Sequence, residues 1–297
     1  MPRATVATGT ELEYDTAGSP DDPTLLLIMG FTAQMTAWPD QFVKLLADGG
    51  LHVVRFDNRD CGLSSKHDGV QVDIMSILGR GLGADLADID VPYTLSDMAA
   101  DAVGLLDHLG IGYAHVLGAS MGGMIAQTVA IEHPQRVRSL ISVMSAPGDP
   151  SVGQPTPEAM AVLLTPPPTE REAFIAASAR YAVYESKRYR DPNRSKERAT
   201  VAYDRMFYPE GGARQLAAIY KSGNRAEQLQ HVNVPTLVIH GRDDTLIQPS
   251  GGIRTAELIP GSNLLLIGDM GHDLPEPLWP IITDAVISHT RFAGAGV

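Results

Sequence analysis

The chain has 297 residues, a formal net charge of -12 at pH 7, 44% hydrophobic residues and a single cysteine, Cys61. That length and apolar content suffice to bury one large core with an elaboration, and the acidic balance excludes general electrostatic binding to nucleic acid phosphates or to an anionic membrane surface. One cysteine leaves no intrachain disulfide and no cysteine-based metal cluster, as expected of a protein in a reducing, cytoplasmic setting.

The N-terminal stretch lacks the apolar core of a secretory signal. No later run approaches the ~20 apolar residues that a membrane-spanning helix needs, so a transient lipid contact is the most that is left open. Glu11 to Asp15 alternates apolar and polar residues like an edge strand, and a turn cluster then leads to the apolar run Thr24 to Met29, a buried strand. The pattern continues with a helix over Pro39 to Ala47 and a second buried strand over Leu51 to Phe56. A turn-rich loop, Asp57 to Ser65, precedes a helix over Leu95 to Leu109 with capping candidates Thr94 and Ser96. Between them, Lys66 to Pro92 is longer than an ordinary connection and carries the apolar cluster Ile74, Met75, Ile77 and Leu78, which fits either a second lid element or a surface excursion. Within it Gly79-Arg80-Gly81-Leu82-Gly83 has part of a dinucleotide fingerprint but follows no strand, and reads as flexible loop.

Next comes the stretch around which the chain is organised. A short apolar run from Ala114 to Leu117 meets Gly118-Ala119-Ser120-Met121-Gly122, followed by a helical segment from Met124 to Glu132. A serine at such a turn needs glycines on both flanks so that strand and helix can approach, and the helix N-terminus directs unpaired N–H groups back at it. Val137 to Met144 is a further strand, after which residues 145–230 hold helical patterns and no convincing strand. These residues read as a helical cap, or lid, inserted into a core formed by residues 1–144 and 231–297. Within the cap, Asp191-Pro192 and Gly211-Gly212 read as breaks, and Leu163, Phe207 and Ile219 as apolar residues facing a ligand. Val234 to His240 and Asn263 to Ile267 are the last strands, with helices over Gly251 to Leu258 and Pro280 to Phe292. Alternating strands and helices of this kind predict an α/β fold with a mostly parallel sheet covered on both faces, whose ligands bind beyond the carboxyl ends of the strands.

A serine hydroxyl is a weak nucleophile, so Ser120 needs a base and a carboxylate that orients the base. Among the nine histidines His272 leaves the last strand at the edge to which Ser120 belongs; His240 is the runner-up base. His52, His115, His133 and His289 read as structural. For the acid, Asp243 and Asp244 both leave the strand ending at His240, and Asp269 is a third, weaker choice.

The order Ser, Asp, His, with Gly-x-Ser-x-Gly on a strand-turn-helix, resembles the α/β-hydrolase superfamily over nearly the whole chain. Met29-Gly30-Phe31 resembles that family's His-Gly-Phe oxyanion loop, with Met in place of the usual His, and Asp57 to Ser64 resembles its Asp-x-Arg-Gly-x-Gly-x-Ser stretch. Within the superfamily, Leu46 to Val54, Leu117 to Gly122 and Met270 to His272 are similar to small bacterial esterases of the anthracycline methyl esterase type. The resemblance implies the α/β-hydrolase fold, oxyanion donors in the backbone N–H groups of Phe31 and Met121, and Asp244 as the acid, four residues after the strand-ending His240. It implies no cofactor and no metal. The expected function is a serine hydrolase that cleaves a small-molecule carboxylic ester or thioester through an acyl-enzyme. The alternatives are perhydrolysis, acyl transfer or carbon–carbon bond hydrolysis by the same residues, or ligand binding without catalysis.

Overall fold

Four central strands are buried at every residue, because helices cover both faces of the sheet they form. The computed structural model describes residues 2–82 and 84–294; Met1, Gly83 and residues 295–297, which fall within the core ranges and the glycine-rich stretch expected above, lie outside the described residues. In chain order the elements begin with β1 (Arg3–Thr5), β2 (Glu11–Ala17), β3 (Thr24–Ile28), α1 (Asp40–Asp48), β4 (His52–Phe56), α2 (Ile74–Arg80) and α3 (Leu95–His108). They continue with β5 (Ala114–Ala119), α4 (Met121–Glu132), β6 (Val137–Val143), α5 (Pro157–Leu164), α6 (Arg171–Ala177), α7 (Pro192–Arg205), α8 (Gly211–Ser222) and α9 (Ala226–Leu229). The last are β7 (Thr236–Gly241), α10 (Pro249–Leu258), β8 (Asn263–Ile267) and α11 (Trp279–Gly294).

The sheet order is β1-β2-β4-β3-β5-β6-β7-β8. β1 and β2 are antiparallel to their neighbours, and β4 through β8 run parallel. Side chains alternate between the faces with the period of a strand. Leu26, Ile28, Val116 and Leu140 pack beneath α3 and α4, whereas Leu25, Leu27, Leu117 and Ile141 pack against α1 and α11. Each such fully buried leucine or isoleucine contributes about 1.5–3 kcal/mol of transfer free energy. The register pairs Ile28 with Gly118, Ala119 with Val143, Val143 with Ile239 and Gly241 with Ile267. The carboxyl ends of five neighbouring strands therefore finish along one edge, and the segments after β3, β5, β7 and β8 emerge there together.

Three local expectations are corrected. Gly79 and Arg80 belong to α2, which begins where Asp73 accepts a hydrogen bond from the Ser76 amide at 3.0 Å. Asp191-Pro192 opens α7 rather than breaking the chain, since the Asp191 carboxylate accepts from the Asn193 amide at 2.9 Å and proline is tolerated in a first turn. Gly211 begins α8, and a side chain there would collide with the loop after β4, its Cβ lying 2.1 Å from the Asp60 carbonyl oxygen.

α8 is tied to the core from two sides. Ile77 and Leu86 form a small apolar cluster with Ala217, so the Lys66 to Pro92 segment packs on α8. From the loop after β4, Asp60 receives the Arg214 guanidinium through Nε at 2.7 Å and Nη2 at 3.0 Å, the Tyr93 hydroxyl at 2.7 Å and the His67 amide at 2.8 Å. Asp60 stands where the family stretch has its first glycine, and it keeps a left-handed φ of 61°. Burial alone would raise its carboxyl, but Arg214 and these hydrogen bonds outweigh burial and hold it below the usual carboxylate range. Next to it, Asp57 accepts from Arg205 Nη1 of α7 at 2.6 Å.

Removing one partner of a buried ion pair strands the other charge away from water. Arg214→Met is therefore expected to lower the free energy of unfolding by about 3–5 kcal/mol, measured from denaturant midpoints. A loss well under 1 kcal/mol would show that the pair does not anchor α8.

Candidate active site

Ser120 sits between β5 and α4 with φ 56° and ψ -122°, a conformation that L-residues rarely adopt. The flanking glycines permit it. A Cβ on Gly118 would lie 1.9 Å from the Gly122 carbonyl oxygen, and one on Gly122 would lie 2.0 Å from the Ile28 carbonyl oxygen. The turn thus draws α4 against both β5 and β3, with the amino end of α4 starting one residue past the serine. Ser145 after β6 donates to the Ser120 carbonyl at 2.8 Å and braces the turn from the other side.

The loops after β7 and β8 bring the acid and base to the same place. His272 Nε2 lies 2.9 Å from Ser120 Oγ, and His272 Nδ1 lies 2.7 Å from Asp244 Oδ2. Asp244 is buried, and its other oxygen accepts the amides of Leu246 and Ile247, both at 2.9 Å. Burial would raise this carboxyl, but the adjacent His272 and His240 outweigh it and hold it down at about 2. Asp244 is thus a carboxylate at neutral pH, fit to accept the Nδ1 proton and leave Nε2 free as a base. The His272 backbone N–H is itself fixed, donating to the Tyr184 carbonyl at 2.6 Å.

The other candidate carboxylates and histidines do not reach Ser120 or the His272 ring. Asp243 accepts the Asp269 amide at 2.8 Å, so it clasps the turn after β8 rather than the imidazole. Asp269 itself pairs with Arg188 at 3.0 Å. His240 lies with Nε2 2.8 Å from the Ile247 carbonyl and shapes the turn that carries Asp244. His115 is buried against Ser139, and its ring is pushed down to about 4, first by burial.

Gly30 of the loop after β3 lies against Ser120: a Cβ there would be 3.0 Å from Ser120 Cβ. Phe31 and Met121 line the same cavity as Ser120, and neither amide donates to another group among the described residues. Two residues that the sequence reading missed hold the loop. The Thr32 amide donates to Gln215 of α8 at 2.8 Å, and Asn58 Nδ2 donates to the Met29 carbonyl at 2.8 Å. Asn58 lies within the stretch after β4 already singled out; Gln215 carried no signal, being one polar residue in an amphipathic helix. Met29, in place of the family's histidine, is buried in the core behind the loop.

A cavity of about 120 Å³ opens on Ser120, walled by Phe31, Met124, Leu163, Leu216 and Ile219 and reached by Leu82 from the segment after α2. Leu163 and Ile219 stand where they were expected. Phe207 does not: half-buried, its ring stacks on Tyr203 of α7 at 4.7 Å and meets Phe174 of α6 edge-on at 5.4 Å. A larger, more open groove beside Gly18, Asp40, Lys44 and Arg55 is lined by none of these site residues. Among the described residues no cluster of three or more His, Cys, Asp or Glu side chains is placed to hold a metal ion, and no helix is long and apolar enough to cross a membrane.

The sequence profile of the alpha/beta hydrolase fold family matches residues 23–276. The chain is 27% identical to rhodomycin D methylesterase DauP of Streptomyces sp. (strain C5), covering 93% of each protein. It is 28% identical to a 2-hydroxy-6-oxononadienedioate/2-hydroxy-6-oxononatrienedioate hydrolase of Burkholderia vietnamiensis (strain G4 / LMG 22486), covering 90% of this chain and 87% of the relative. In structure it is similar to the enol-lactonase of Burkholderia xenovorans LB400, with a TM-score of 0.72 and 23% identity over 97% of this chain and 99% of that one. That last likeness speaks for the fold.

Proposed function

Since the chain belongs to the alpha/beta hydrolase family, we propose that it is a serine hydrolase that cleaves a carboxylic ester or thioester through an acyl-enzyme. The observation that carries this reading is the continuous line from Asp244 to His272 to Ser120, at 2.7 and 2.9 Å, opening on an apolar cavity. Ser120 Oγ attacks the carbonyl carbon while His272 Nε2 takes its proton, and Asp244 fixes the imidazole's tautomer and stabilises its positive charge. Charge gathers on the carbonyl oxygen, where the amides of Phe31 and Met121 and the positive end of α4 receive it. His272 then protonates the departing alcohol or thiol, and water repeats the sequence to release the acid. The methylesterase relative, which spans nearly the whole chain, supports the ester reading. The Burkholderia vietnamiensis relative favours a second one, hydrolysis of a carbon–carbon bond beside a ketone by the same residues.

In a screen of p-nitrophenyl esters, Ser120→Ala is expected to fold and lose several orders of magnitude in turnover. Asp244→Asn should lose about 10⁴-fold by upsetting the His272 tautomer, and Asp243→Asn little. Near-native turnover in Ser120→Ala would end the hydrolase reading, and the reverse ranking of the aspartates would move the acid.

We further propose that residues 145–230 form a cap that selects the substrate, acting on a core made by the rest of the chain. The cavity wall from α5 and α8 supports this, as does the Tyr184 carbonyl on His272. Leu163→Ala and Ile219→Ala should shift the preferred ester chain length, each lost contact being worth about 1–3 kcal/mol, whereas Phe207→Ala should leave the profile in place. Superimposable profiles for Leu163→Ala, Ile219→Ala and the parent would assign selection to the Lys66 to Pro92 segment.

A further inference from the structure

The same cavity wall contains a charge that the serine chemistry does not use and that no carboxylate among the described residues balances. Arg225 lies between α8 and α9, is only 6% exposed, and lines the cavity that opens on Ser120. Its hydrogen bonds go to neutral oxygens: Nε to Gln127 Oε1 at 3.3 Å, Nη1 to the Gly223 carbonyl at 3.2 Å and Nη2 to the Ala146 carbonyl at 2.9 Å. Among the described residues it has no carboxylate partner. Buried Arg214 and largely buried Arg205 of the insertion differ in this respect, since Arg205 is paired with Asp57 and Arg214 with Asp60.

A guanidinium offers five N–H donors, and three are used here, which leaves two. Burial is the cause that lowers Arg225, to about 10, so the group stays protonated at neutral pH with no counter-charge beside it. Holding an uncompensated cation out of water is unfavourable, and a fold retains one more readily where a ligand supplies the anion. The one carboxylate on the same wall, Asp149, is already engaged by the Ser151 amide at 2.9 Å, the Ser151 hydroxyl at 2.6 Å and Arg254 at 3.7 Å. The remainder of the wall is largely apolar, with Met124, Leu163 and Ile219 facing the body of a ligand.

Resting on the hydrolase reading above, we propose that the substrate carries a carboxylate in addition to its scissile carbonyl, and that Arg225 is the residue that binds it. Gln127 and the carbonyls of Ala146 and Gly223 position the guanidinium, and its two spare donors meet the two oxygens of the substrate acid. A charged hydrogen-bonding site of this kind discriminates against a neutral analogue of the same shape far more strongly than an apolar wall does.

The test pairs mono-p-nitrophenyl succinate, glutarate and adipate with the neutral p-nitrophenyl esters of equal length. For at least one length the native protein should show kcat/KM about tenfold or more in favour of the acid ester. In Arg225→Met that ratio should fall to one or below, and Arg225→Lys should keep part of it, with folding checked by thermal melting. Ratios of one or less at every length in the native protein would overturn the proposal, whether or not Arg225→Met folds. So would an unchanged ratio in the variants with both substrates slowed alike, since that marks a purely structural arginine. If neither ester of any pair is turned over, the hydrolase reading fails separately, and calorimetry with monomethyl glutarate decides the inference. Binding about tenfold tighter to the native protein than to Arg225→Met sustains it, and equal or absent binding overturns it.

Discussion

The close approach of α4 to β5 and β3 is the constraint on which the rest of the structure depends. Gly118 and Gly122 cannot carry side chains because backbone atoms already occupy the space, at 1.9 and 2.0 Å from where each Cβ would lie. That contact forces Ser120 into its left-handed φ, points its hydroxyl out of the sheet edge and aims the start of α4 at the same spot. The strain is local and the surrounding sheet holds it, since β5 is flanked on both sides by parallel neighbours. Only a serine at this edge can meet loops from β7 and β8, and the shared register brings Asp244 and His272 there.

The helices between β6 and β7 are joined to the site by polar contacts as well as by cavity walls. Tyr184 takes the His272 amide, Gln215 takes the Thr32 amide, and two arginines, Arg205 and Arg214, hold Asp57 and Asp60 of the loop after β4. A displacement of α8 therefore reaches the loop after β3 through the Gln215 hydrogen bond, one of α7 reaches it through Gln34, which bonds Ala202, Arg205 and Met206, and movement at Tyr184 reaches the His272 backbone. The position of these helices and the alignment of Ser120 and His272 are mechanically linked. The left-handed Asp60, with its side chain on Arg214, is part of that linkage and has no counterpart in a chain with glycine there.

Much of this was legible in the sequence, because the strands are short apolar runs and the serine turn has a steric requirement that only glycine meets. The core strands lie within a residue or two of their expected bounds, and Ser120, His272 and Asp244 meet where strand ends were expected to converge. Choosing between Asp243 and Asp244 needed more than composition: neighbouring residues point to opposite sides, and the structure turns Asp243 to the Asp269 amide. The insertion was read less well. The sequence does not say against what each apolar residue packs, so Phe207 looked like a pocket residue while its ring packs on Phe174 and Tyr203. Proline and glycine that signal breaks in isolation open helices here, at Pro192 and Gly211. Arg225 gave no local signal at all, since its burial and lack of a counter-charge exist only once α4, α8 and the segment after β6 come together.

The central claim is that Ser120 becomes acylated during each turnover. Rapid mixing of the native protein with a p-nitrophenyl ester, with acid quench and intact-mass analysis, tests it most directly. The account predicts a protein mass raised by the acyl group, with the modification on the peptide carrying Ser120 and its release restoring the original mass. Sustained ester hydrolysis with acyl groups found on another residue, or with release of p-nitrophenol insensitive to Ser120→Ala, would contradict it.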